Sequence, residues 1–80
     1  MELKAQGLLD EARAAFEEVE RRFPDYVPQY LMHVNVLASL KQRDAARAVG
    51  ERGLAAARRK GDSHAHGELQ SALDGLAFED

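Results

Sequence analysis

The chain has 80 residues, of which 45% are hydrophobic and 31% charged, and its formal net charge is -3. Those values describe one ordinary globular domain and exclude a disordered polymer or a strongly basic nucleic-acid coat. It contains no cysteine, which excludes a disulfide framework, a thiolate metal site and a cysteine nucleophile.

Four periodic segments follow one another. In the first, Leu8, Leu9, Ala12, Ala15, Phe16, Val19 and Phe23 recur at three- and four-residue steps, the signature of an amphipathic helix over residues 8–23. Arg21 and Arg22 suit the negative end of its dipole, and Pro24 stops it. The second, residues 27–40, has Pro28 in its first turn, where a missing N–H is harmless. Its apolar residues Val27, Tyr30, Leu31, Met32, Val34, Val36, Leu37, Ala38 and Leu40 wrap more than one stripe, so this helix touches neighbours on two sides or lines a groove, and forms the centre of the domain.

The third helix, residues 44–59, presents Ala46, Val49, Gly50, Gly53, Leu54 and Ala57 on one face. Two glycines inside a helix cost about 1 kcal/mol each relative to alanine, which calls for a close-packing reason. Gly61 closes this helix, and Asp62 or Ser63 caps a fourth over residues 63–77 whose stripe is Ala65, Leu69, Ala72, Leu73 and Leu76. No alternating strand pattern of useful length is present. The expected fold is a single all-α domain over residues 1–80, with short connections at 24–26, 41–43 and 60–62 that make successive helices antiparallel.

Charge is distributed unevenly. Residues 1–40 carry seven acids and four bases, residues 41–60 two acids and seven bases, and residues 61–80 five acids and no base. Either the basic middle segment is a patch for an acidic partner, or its neighbours neutralise it within the fold.

An internal period sharpens the fold class. Ala12, Phe16 and Pro24 stand at the spacing of the alanine, aromatic and proline that mark the second helix of a 34-residue tetratricopeptide repeat. Gly7-Leu8-Leu9-Asp10-Glu11-Ala12 resembles the family's turn and acidic helix start. A second unit of 34 residues, Val27 to Lys60, places Tyr30 on an aromatic position, Ala46 on the alanine and Gly53 on a small position. The chain thus resembles tetratricopeptide repeat (TPR) proteins: half a unit, one full unit and a C-terminal capping helix. It departs from their pattern at His33, Val34, Gly50 and Arg58, and Lys41 replaces the turn glycine. The resemblance implies antiparallel helix-turn-helix repeats in a short right-handed superhelical α-α array.

Residues for chemistry are few. Asp62, His64 and His66 look ligand-like, but on a helix residues two apart point about 200° away from each other and do not share an ion. His33 has no serine, carboxylate or second histidine at helical spacing to form a proton relay, which leaves core packing or a place on a groove rim. Glu17 and Glu18 belong to a solvated face. There is no glycine-rich phosphate loop, and the basic segment lacks interleaved aromatics. The expectation is a chain with no catalytic residues, cofactor or metal, and with nucleic acid an improbable partner.

What remains is a surface. The resemblance implies that the first helix of a unit lines a concave groove, here through Pro28, Leu31, Met32, Asn35, Ala38 and Ser39, unless Leu31 and Met32 are core beneath another element. Leu31 stands where a carboxylate-gripping member of the family has lysine, so the expected ligand is an extended or helical peptide with apolar anchors. Two functions stay open: a protein–protein interaction module, or a structural unit that forms a homodimer or belongs to a longer array. The longest uncharged stretch, Tyr26 to Leu40, is too short and too polar to span a bilayer, and Met1-Glu2-Leu3-Lys4 does not begin a secretory signal. A cytoplasmic location is expected.

Overall fold

A computed structural model describes the backbone of residues 3–77 and side chains from Gly7 onward. Residues 1, 2 and 78–80, which include Glu79 and Asp80 of the acidic C-terminal segment, lie outside it. Four helices follow in order: α1 (Leu3–Arg22), α2 (Pro28–Ser39), α3 (Arg43–Lys60) and α4 (Ser63–Ala77). The described residues contain no strand.

α1 begins at Leu3, five residues before the start read from the sequence. Gly7 makes no turn. It stands in the helix with nothing near its α-carbon face, so its only effect is the small loss of helix propensity that an exposed glycine brings. The helix closes as expected near Pro24: the Phe23 amide donates to the Val19 carbonyl at 2.7 Å, and the Tyr26 amide to the Phe23 carbonyl at 3.1 Å. Pro28 occupies the first turn of α2.

The two later turns share one hydrogen-bonding pattern. After α2, the Lys41 amide donates to Ala38 at 3.0 Å and the Gln42 amide to Leu37 at 2.9 Å. After α3, the Gly61 amide donates to Arg58 at 3.2 Å and the Asp62 amide to Ala57 at 2.9 Å. The pivot is left-handed in both, with φ of 64° at Lys41 and 67° at Gly61. This arrangement satisfies the last carbonyls of a helix and favours glycine at the pivot. The Asp62 carboxylate then accepts the Ala65 amide at 3.0 Å, capping α4.

The core gathers Val27, Tyr30, Val34 and Leu37 from α2 and the residue before it, Ala46, Val49, Ala56 and Ala57 from α3, and Leu69 and Leu76 from α4. Gly50 and Gly53 are buried on the α3 face and let the neighbouring helices approach closely: Gly50 meets the end of Leu73, and Gly53 meets the stem of Tyr30. α2 packs against all three other helices, whereas among the described residues the α1 backbone packs against α2 alone. No described α1 side chain is fully buried, and Leu8 is 60% exposed. Phe23, read from the sequence as the last member of the α1 stripe, is 62% exposed beyond the helix end.

Candidate interaction surface

At about 100° per residue, the side chains of α2 divide into sectors. Tyr30, Val34 and Leu37 are buried on the core side, Gln29 and His33 are buried on one flank, and Leu31 and Ala38 are half-buried on the other flank against the core. Pro28, Met32, Asn35 and Ser39 form the sector left over and are exposed. The six residues named as groove lining therefore split into a solvent-facing stripe of four and an edge of two. Met32 is its largest apolar member and is 54% exposed.

The stripe bears no charge. It continues at Pro28 into a hollow beside Tyr26, walled also by Asp25, Lys60 and Asp62. Tyr26 is 57% exposed, so it adds an aromatic to this surface that sequence reasoning passed over. An aromatic just ahead of a helix-starting proline, where no stripe claims it, was the available signal.

Several charged side chains elsewhere on the fold and in the α1–α2 connection are paired. Arg52 of α3 holds Glu20 of α1 through two donors. Arg59 holds Asp25 in the α1–α2 connection at 3.0 and 2.8 Å. Arg47 lies 3.6 Å from Asp44. Thus the basic middle segment is joined to the acidic one within the molecule, and the Glu20 carboxylate holds the Arg52 guanidinium above its ordinary pKa. On α1, Glu18 accepts from Arg21 at 2.6 Å and from Arg22 at 2.5 Å, and these donors keep its carboxyl below the usual range.

The histidines separate. His64 lies 3.5 Å from Glu68, His66 lies 3.5 Å from Arg58, and Asp62 is taken up by the α4 cap. Among the described residues no group of three or more His, Cys, Asp or Glu side chains is placed to hold a metal ion. His33 is buried, 2% exposed, with its ring stacked on Phe16 at 5.7 Å between centroids; of its two expected places, it occupies the core. Gln29, one turn earlier, was not foreseen as buried; its side-chain amide donates to the Phe23 carbonyl at 2.6 Å and ties the loop to α2. The Tyr30 hydroxyl does the same to the Pro24 carbonyl.

No protein-family model, curated protein or solved structure matches the chain. Among the described residues, no helix is long and apolar enough to cross a membrane.

Proposed function

We propose that the chain is a non-enzymatic protein–protein interaction module of TPR type, working in the cytoplasm, whose α2 face receives an extended or helical peptide with apolar anchors. The observation that carries this reading is the uncharged stripe of Pro28, Met32, Asn35 and Ser39, edged by Leu31 and Ala38 and left open by three surrounding helices. Four features support the repeat register: Ala46 is wholly buried, Gly53 lies beneath Tyr30, Lys41 turns left-handed where the repeats have glycine, and α2 also touches α4.

Selection of a displayed random-peptide library on the chain, repeated on Met32→Glu, tests the proposal. Met32 is exposed, so the variant keeps the helical circular dichroism of the parent, and selected peptides lose at least about tenfold in affinity. Peptides that bind both proteins equally, or none recovered from the parent, overturn it.

A second reading is favoured by Leu8 and Phe23, large apolar side chains left open near the two ends of α1. It makes the chain a self-associating unit or a piece of a longer array, with α1 covered by another helix. Sedimentation showing a monomer at high micromolar concentration excludes the dimer and leaves the array.

A further inference from the structure

α1 is fastened by a seam that contains polar atoms without partners. Neither ring nitrogen of His33 has a hydrogen-bond partner among the described residues, and the same is true of Gln29 Oε1 and Arg13 Nε, all buried. His33 and Gln29 occupy the α2 flank, one helical turn apart, and the His33 ring meets α1 through Phe16. A neutral imidazole tolerates such a place at some loss. An imidazolium does not, because an unpaired buried charge is far more costly than an unpaired dipole.

We propose that His33 makes the α1–α2 seam acid-labile, so that protonation of its imidazole releases α1 from the other three helices.

The charged groups facing His33 do not rescue the cation. From α1, the Glu17 and Glu20 carboxylates draw the proton and Arg13 repels it; from α3, Arg52 repels it. Both carboxylates are already committed, Glu17 to Arg13 at 3.4 Å and Glu20 to Arg52. Burial dominates and holds the imidazole below its ordinary value of 6.5. The docked state accordingly takes up a proton less readily than the released one. The contribution of the neutral imidazole to docking is fully present above 6.5 and is lost as the pH falls below it, toward the lowered value of the docked state. α1 is the element that yields, since among the described residues its backbone packs on α2 alone, with the Glu20–Arg52 pair as a side-chain tie to α3, and it has no fully buried side chain.

Amide hydrogen exchange of the whole chain at pH 7.5 and pH 5.0, corrected for intrinsic rates, tests the device. Protection across residues 10–22 falls about tenfold at pH 5.0, within a ceiling of about thirtyfold set by a released-state pKa of 6.5. Protection across residues 46–57 of α3 falls by less than about twofold. His33→Phe, which keeps a ring against Phe16, abolishes the α1 response, whereas a variant carrying His64→Gln and His66→Gln retains it. An unchanged α1, an equal loss in α3, or a response that survives His33→Phe overturns the proposal. Should His33→Phe fail to fold, an NMR titration of the parent that follows the His33 ring together with the α1 amides decides: α1 amides that lose protection in step with protonation of the ring uphold the seam as acid-labile, and a ring pKa at or above 6.5, or α1 amides that do not follow the ring, refute it.

Discussion

A methyl group placed on Gly53 would stand 2.5 Å from the Tyr30 β-carbon and 2.9 Å from its γ-carbon. The obstructing atoms adjoin the α2 backbone, so neither side can yield without moving a helix. Gly53→Ala therefore exchanges a propensity gain of about 1 kcal/mol for overpacking of about 1–3 kcal/mol, and is expected to lower stability. At Gly50 the new methyl meets the Leu73 δ-carbon at 2.5 Å and its γ-carbon at 3.0 Å, the end of a half-buried side chain that can turn aside. Urea midpoints should place Gly50→Ala clearly above Gly53→Ala. The opposite order would mean that α2 and α3 do not cross at Tyr30.

Ala46 is completely buried on α3, whereas its neighbour Ala45 faces solvent. Ala46→Leu should lose about 1–3 kcal/mol by overpacking, which for a domain of this size lowers Tm by roughly 4–8 °C per kcal/mol. Ala45→Leu should leave Tm nearly unchanged. Equal melting curves for the two variants would contradict the helix face assigned here.

The paired turns at Lys41 and Gly61 respond to substitution with opposite signs. Lys41 bears a β-carbon at φ of 64°, a conformation that penalises L-residues by about 1–2 kcal/mol. Lys41→Gly relieves this and returns up to about 1 kcal/mol through the freer unfolded chain, for an outcome between neutral and about 1 kcal/mol more stable. Gly61→Ala introduces the same strain at φ of 67° in otherwise open space and should destabilise by about 1 kcal/mol. Thermal melts of both variants check the pair.

The Glu20–Arg52 bridge joins α1 to α3 across helices whose backbones do not meet. The Glu20 side chain is mostly covered, at 17% exposure, while that of Arg52 is half open. A double-mutant cycle with Glu20→Gln and Arg52→Gln should give a coupling of about 0.5–1 kcal/mol that shrinks in 1 M salt. A coupling indifferent to salt would show that packing of the Arg52 stem, rather than charge, carries the link.

Much of this architecture was legible from the sequence because helical spacing maps directly onto burial. Tyr30, Val34 and Leu37 on α2, the small face of α3, and Leu69 and Leu76 on α4 all follow from steps of three and four residues. Gly50 and Gly53 announced close packing, since glycine inside a helix needs a steric reason. Gly7, read by resemblance as a turn, instead has no neighbour to accommodate, and α1 runs straight through it. A helical wheel also gives an angle without saying which neighbour covers it. His33 had two expected places for that reason, and α1 along its flank makes it core; Gln29, buried on the same flank, was not foreseen. The α2 face came from the family resemblance, and Pro28, Met32, Asn35 and Ser39 are exposed on it while Leu31 and Ala38 are half-buried; Tyr26 was not foreseen, because loop side chains follow no period.

Among the described residues, each helix after α1 packs against the one that precedes it in the chain, and the backbone pairing that skips an element is α2 with α4. The connections are only a few residues long, so closing each hairpin forfeits little chain entropy. Contacts of such short sequence separation are the condition for rapid folding, and helical proteins of this topology cross their barrier in microseconds to milliseconds. The α2–α4 pairing has to wait until α3 is in place between them. The arrival of α4 on α2 is then the last event, after the barrier, and substitutions on its inner face, such as Leu69→Ala, should raise the unfolding rate far more than they retard folding.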